Sequence, residues 1–285
     1  MLLSGACRHF AGRPDPLASS TGFLMPLIAM DDHIRLNVEA DPDNGKPALL
    51  LTNALGTNLA MWEHQLPALR EHYRVIRFDD RGHGGSDIPD TPYTIDRLGR
   101  DARGVLDAVD VESAHVVGLS KGGMVAAWLA ANKPDYVEKL VICASAPHLP
   151  PRDMWEGRAR TARNEGLPAL VDSVIGRWFQ ERFRASQPDI VAGIRDMILT
   201  TPAEGYAACC EALGEMDLRE DIGLIQAPTL VICADHDATV QPAKAREWVA
   251  DIDGARMEII RNAAHLCNVE QPEAFNRALL DFLQA

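Results

Sequence analysis

Ser120 sits in Gly118-Leu119-Ser120-Lys121-Gly122, where "GLSKGG" joins "ESAHVV" to "MVAAWLAANKP". A serine hydroxyl attacks an acyl carbon only when a base takes its proton, so this serine needs a histidine and a carboxylate from elsewhere in the chain. The pattern G-x-S-x-G is common by itself and becomes informative when an apolar strand precedes it and a helix follows. Here "AHVVG" runs in and "GGMVAAWLAANKP" runs out. Glycines at 118 and 122 permit a sharp strand-to-helix turn that holds Ser120 in strained geometry. Its Oγ then projects over the carboxyl edge of the sheet, where open α/β folds place their sites. Downstream, "LVICADHDATVQP" ends an apolar run in two acids, Asp235 and Asp237, and "IIRNAAHLCNVEQP" places His265 after the last strand-like run. The order serine, acid, histidine is the one expected of a serine hydrolase on such a sheet. The chemistry these residues point to is acyl transfer.

The elements that must bring them together alternate. "PLIAM" and "HIRLNVEA" read as a hairpin-like start, and "PALLLTN", "RVIRFD", "AHVVGLS", "KLVICAS", "PTLVICAD" and "RMEII" read as strands. Most are almost continuously apolar, as strands covered on both faces are. Between them "NLAMWEHQLPALREH", "TIDRLGRDARGVLDAVD", "PAKAREWVADI" and "PEAFNRALLDFLQ" carry apolar residues at helical spacing. The alternation predicts an α/β fold with a mostly parallel sheet and helices on both faces. It breaks from about residue 147 to 221, where only amphipathic segments occur. The reading is a core over residues 25–147 and 220–285 with a helical cap inserted at 148–219. Residues 1–24, rich in Ser, Gly, Pro and Arg, read as a disordered extension.

Composition narrows the function classes. A net charge of −13 over 285 residues opposes nucleic acid or an anionic membrane as partner. The opening "MLLSGACRHF" is too short in apolar residues for a signal peptide, and no run approaches the ~20 apolar residues of a membrane span. The six cysteines, Cys7, Cys143, Cys209, Cys210, Cys233 and Cys267, show no metal-ligand or CxxC spacing, so they read as reduced thiols in a cytoplasmic protein. His83 and His236 lack a second ligand at metal-site spacing, and no Gly-rich nucleotide motif occurs, so neither metal nor cofactor is implied.

The set "TNALGTNLAMW", "DDRGHGGSDIP", "GLSKGGMV", "CADHDATVQP" and "AAHLCNVEQPEAF" resembles the α/β-hydrolase superfamily over residues 25–285. "LGTNLAMW", "PYTIDRLGRD", "RWFQERFRA" and "GYAACCEALGEMDLRE" resemble its 3-oxoadipate enol-lactonase branch. The resemblance implies a cofactor-independent hydrolase of aromatic-compound catabolism, acting in the β-ketoadipate pathway on a small anionic lactone or ester. It makes Ser120 the nucleophile and His265 the base, and gives the oxyanion hole to the backbone N–H groups of Leu55 and Lys121. The family's G-x-x-D pattern selects Asp237 as the acid, although Ala234 stands where the family has Gly and Asp235 competes. His83 falls in a turn motif the family uses structurally, away from the nucleophile. The branch has Asn-Ser where this chain has Asn53-Ala54; Asn53 and Trp155 are the substrate-binding candidates, and at helical spacing Trp155, like Trp178, equally serves to anchor a cap helix.

Two features keep the substrate open. The branch has an apolar residue at 121; a lysine there serves either as a cation beside the nucleophile or as a snorkelling side chain paired to a nearby acid. From Arg152 to Arg195 eight arginines meet six acids, a local excess of +2 that suits an anionic substrate and equally suits a solvated helix face. A carboxylesterase or C–C bond hydrolase of the same fold is the alternative, and a non-catalytic ligand-binding relative is the alternative of another class. A homo-oligomer is left open.

Overall fold

The computed structural model describes residues 27–285, so the expected extension over residues 1–24, with Cys7, lies outside the described residues. A two-stranded antiparallel ribbon opens the description, β1 (Ile28–Ala29) against β2 (Arg35–Leu36). The main sheet has seven strands: β3 (Val38–Ala40), β4 (Ala48–Thr52), β5 (Arg74–Phe78), β6 (Ala114–Leu119), β7 (Val137–Cys143), β8 (Thr229–Ala234) and β9 (Arg256–Ile260). Their spatial order is β3-β5-β4-β6-β7-β8-β9, and every neighbouring pair is parallel except β3 with β5.

"HIRLNVEA" reads as one strand in sequence but is two in the structure, β2 and β3, which belong to different sheets. Asn37 is the break: its backbone N–H donates to Ser86 Oγ and its side-chain amide to Asp79 Oδ2. Arg35, just before, grips Asp87 with backbone and guanidinium together. The segment therefore serves the 79–87 loop as well as the sheet.

Strands β6 and β8 are buried at every position, as their unbroken apolar sequence predicts. By contrast β9, at the edge, alternates exposed and half-buried positions and is buried only at Ile260. The core helices are α1 (Leu66–Arg70), α2 (Ile95–Ala108) and α3 (Lys121–Asn132) before the break. Thr94 caps α2 by accepting from Arg97 N–H at 3.0 Å. Helix α3 is buried along almost its whole length, which explains why "GGMVAAWLAAN" lacks a polar face.

Five helices separate β7 from β8: α4 (Arg152–Glu165), α5 (Pro168–Trp178), α6 (Glu181–Ser186), α7 (Pro188–Thr200) and α8 (Ala203–Glu215). Ala159 and Ala162 of α4 and Ala207, Ala208 and Ala212 of α8 are buried, and small side chains of this kind let two helices approach closely. The chain closes with α9 (Pro242–Asp251), α10 (Cys267–Glu270) and α11 (Pro272–Leu283). No described helix is long and apolar enough to cross a membrane. Cys143, Cys209, Cys210, Cys233 and Cys267 are all buried and unpaired.

Candidate active site

The turn from β6 into α3 positions Ser120 at φ 58° and ψ −118°, a backbone conformation that L-residues rarely adopt. The neighbouring glycines make it possible by close approach. A Cβ on Gly118 would lie 2.1 Å from the Gly122 carbonyl oxygen, and one on Gly122 would lie 2.3 Å from the Thr52 carbonyl oxygen. The turn is thus wedged against the end of β4.

Three loops converge on the serine. His265 Nε2 lies 2.9 Å from Ser120 Oγ, and His265 Nδ1 lies 2.8 Å from Asp237 Oδ2. Asp237 Oδ1 accepts from the N–H groups of Thr239 and Val240 at 2.7 and 2.9 Å, which fixes the carboxylate so that its other oxygen faces the imidazole. His265 and Asp237 are buried, while Ser120 is partly exposed. The arrangement fixes the proton of His265 on Nδ1 and turns Nε2, as an acceptor, toward the serine hydroxyl. Asp235 points elsewhere: its carboxylate accepts from Ala263 N–H at 3.3 Å and lies 3.9 Å from the exposed His236 ring.

The histidine loop is braced by a residue that motif reading passed over. Glu270 accepts from Ala264 N–H at 2.7 Å and from Gln180 N–H at 3.3 Å, tying the loop to the segment after α5. Burial raises the pKa of this carboxyl group. The Trp178 ring stands 6.0 Å from the His265 ring. The signal lay in plain view as the acid of "HLCNVEQP", but its partners are set by tertiary structure.

The loop after β4 holds the other candidate donors. Ala54 N–H points at Met61 Sδ, Gly56 N–H donates to His83 Nε2 at 3.1 Å, and Thr57 N–H donates to the Ala54 carbonyl. Among the described residues, Leu55 N–H in the middle of this run and Lys121 N–H at the start of α3 meet no acceptor. Backbone amides without an acceptor are the groups that can hold a developing oxyanion.

Asn53 behaves differently from expectation. Its side chain is fully buried, with Nδ2 donating to the Phe78 carbonyl at 2.6 Å and Oδ1 accepting from Trp62 Nε1 at 3.0 Å. Both polar ends help to hold β4 to β5 and to the Leu59–Trp62 turn. Trp155 is buried on α4, donates Nε1 to the Leu149 carbonyl and lines a cavity beside the Asp237 loop.

Lys121 neither snorkels nor faces the cleft. Its ammonium is fully buried 2.6 Å from Asp80 Oδ2, an ion pair that lacks hydrogen-bond alignment. Removing one member of such a pair leaves the other charge buried alone at a cost of about 3–5 kcal/mol. Its charge is therefore spent on Asp80. His83, also buried, lies within its field: burial and the Lys121 cation lower its pKa from 6.5 to about 4. A neutral His83, protonated at Nδ1 toward the Arg81 carbonyl, is what lets Nε2 accept from Gly56.

The sign of the pH effect follows. An imidazole with a depressed folded pKa contributes stability that is complete above 6.5 and is lost as pH falls toward about 4. The expected result is that His83→Gln, which keeps an acceptor for Gly56, flattens the dependence of Tm on pH between those limits. Parallel curves for the two proteins would assign the acid sensitivity to other groups.

Comparison with known proteins identifies the lineage. A family model described as alpha/beta hydrolase fold matches residues 47–164. The chain is 36% identical to 3-oxoadipate enol-lactonase 2 of Acinetobacter baylyi over 253 residues, covering 89% of this chain and 94% of that one. The crystal structure of the enol-lactonase from Burkholderia xenovorans superposes with a TM-score of 0.88 at 39% identity, over 91% of this chain and all of that one. A thermophilic esterase from Thermogutta terrifontis superposes at 0.85 with 26% identity, over 93% and 98% of the two chains. The strand order, the turn at Ser120 and these similarities agree that the chain belongs to the α/β-hydrolase family, in its 3-oxoadipate enol-lactonase branch, and is a hydrolase of ester or lactone bonds.

Proposed function

We propose that the protein opens the enol-lactone of 3-oxoadipate through an acyl-enzyme on Ser120, with residues 148–219 serving as the cap over the site. The observation that carries the reading is the series Ser120 Oγ, His265 Nε2, His265 Nδ1, Asp237 Oδ2, with contacts of 2.9 and 2.8 Å, in a chain 36% identical to an enol-lactonase. His265 takes the Ser120 proton as Oγ adds to the lactone carbonyl. Asp237 stabilises the imidazolium. The oxyanion is held by the N–H groups of Leu55 and Lys121, which are otherwise without acceptors.

Collapse of the tetrahedral intermediate breaks the ring C–O bond. The enol oxygen leaves with the proton from His265, and the enol tautomerises to the ketone, which pulls ring opening forward. Water, deprotonated by His265, then attacks the acyl carbon, and the proton returns to Ser120 Oγ as 3-oxoadipate departs. The test is direct: purified protein added to 3-oxoadipate enol-lactone should remove its ultraviolet absorbance with kcat/KM of about 10⁴ M⁻¹s⁻¹ or more. Turnover of p-nitrophenyl acetate without turnover of the lactone would favour the second reading, a carboxylesterase, to which the likeness to the Thermogutta esterase lends support.

A further inference from the structure

The main sheet ends on two open edges, β3 and β9, and their charges are disposed differently. Glu39, the charged residue of β3, is paired within the chain to Arg70 and Arg77. At the other edge Arg256 and Glu258 lie in β9, Asp253 in the turn before it and Arg261 directly after it. All four are exposed, and among the described residues none of them has an ion-pair partner. Their spacing is antisymmetric. In "DGARMEIIR", residues 253–261, Arg256 and Glu258 flank Met257 directly, while Asp253 and Arg261 flank it at equal distance further out, with opposite signs each time.

A strand with that pattern is complementary to a copy of itself. A two-fold axis through Met257 that sets β9 antiparallel to the β9 of a second copy puts Arg256 opposite Glu258 of that copy, and Glu258 opposite its Arg256. Opposite charges facing each other stabilise an antiparallel pair, and like charges there destabilise it. The backbone also faces the right way. The Ile260 carbonyl accepts from Asp235 N–H at 3.2 Å, so Ile260, Glu258 and Arg256 turn their backbone groups to β8. By alternation Met257 and Ile259 turn theirs outward. Strand β9 pairs with β8 without a register shift and contains no proline, so it has neither of the devices that block a further strand.

The surface beside the strand adds to the contact. The Arg256 guanidinium lies 5.1 Å from the Phe282 ring centre, at the rim of a cavity of about 450 Å³ between β9 and α11. Leu230, Ala274, Ala278 and Phe282 supply apolar surface there, and Arg277 and Asp281 are two further charges that have no ion-pair partner among the described residues. A stable interface buries roughly 1,200 Å² or more, which a short strand reaches only with help from a neighbouring helix. Antiparallel joining also turns the carboxyl edges of the two sheets away from each other. Both Ser120 turns, with the helices over them, then stay clear of the contact.

We infer that β9 is a dimer interface: two copies of this chain join edge to edge through an antiparallel β9 ladder about Met257, with reciprocal Arg256–Glu258 pairs, into one continuous sheet. Met257 exchanges both backbone hydrogen bonds with its own copy, and Ile259 N–H reaches the Ala255 carbonyl of the other. The Ala255 N–H is already bonded within the chain, to the Ile252 carbonyl. The inference is independent of which ester or lactone is hydrolysed. Sedimentation velocity over about 1–100 µM should show the parent passing from monomer to dimer or already dimeric. Arg256→Glu and Glu258→Arg each set two like-charge contacts across the axis, and each should raise the dimer Kd by about 10-fold or more. The double swap, Arg256→Glu with Glu258→Arg, restores opposite signs and should bring Kd back to within about 3-fold of the parent.

Hydrogen exchange separates strand pairing from a looser contact. Peptides over residues 255–261 should exchange more slowly at high than at low concentration of the parent, and the difference should vanish in either single reversal. Equal protection of peptides from the buried strand β6 in all four proteins shows that each is folded. A parent that stays monomeric throughout overturns the inference and leaves this edge to a strand of some other protein or to solvent. A dimer whose Kd ignores both single reversals, a double swap that does not restore it, or exchange over 255–261 that is independent of concentration overturns it as well.

Discussion

Ser120→Ala should lower kcat on the enol-lactone by about 10⁵- to 10⁶-fold while leaving Tm within a degree or so of the parent. The large effect follows because removing the hydroxyl removes the bond-forming atom, and the residual rate then comes only from the free amides and substrate binding. The small effect on stability follows from the turn: alanine at φ 58° carries the same Cβ strain as serine, and among the described residues Ser120 Oγ has one side-chain partner, His265 Nε2. Steady-state turnover and a thermal melt on the same preparation check both halves. A fluorophosphonate probe should label the parent and not the variant. A variant retaining more than about one part in a thousand of the parental rate would mean that Ser120 is not the nucleophile.

Asp237→Asn should cost about 10⁴-fold in kcat with the fold intact. The asparagine Oδ1 can still accept from Thr239 and Val240, so the amide nitrogen is left facing His265 Nδ1. A donor there forces the proton onto Nε2, the nitrogen that must accept from Ser120. The companion Asp235→Asn, whose carboxylate meets only Ala263 N–H and the exposed His236, should stay within about 3-fold of the parent. The reverse ranking would move the acid to Asp235. Measuring kcat for both variants beside the parent decides between them.

Local patterns carried much of this site. The strand, the Gly-rich turn and the helix around Ser120 are contiguous in sequence, so their signal survives without any tertiary information. The segments holding Asp237 and His265 are short and lie directly after strands that read clearly as apolar runs. Residues whose behaviour depends on distant partners were not legible in the same way. Lys121 is buried because Asp80, 41 residues earlier, meets it in space, and no spacing rule joins the two. Asn53 lies two residues before the free amide of Leu55, yet Phe78 and Trp62 engage both ends of its side chain. The arginines between 152 and 195 look alike on a helical wheel. Only the fold sorts those with a carboxylate in reach, such as Arg163 and Arg195, from those such as Arg158 that meet a hydroxyl instead.

The site also has a history in time. Ser120 and His265 are 145 residues apart in the chain, with Asp237 lying 28 residues before the histidine. A ribosome adding about 5–20 residues per second exposes the serine roughly 7–30 seconds before its base exists. During that interval the proposed nucleophile is an ordinary alcohol. Sheet growth past β7 must also wait for α4 to α8 to be synthesised before β8 can dock, so the pairing that brings the acid and base loops to the serine is among the most non-local in the fold. On the proposed triad, a nascent or prematurely terminated chain that stops short of β8 therefore carries the Ser120 turn without reactivity, and hydrolytic power switches on only with the near-complete polypeptide.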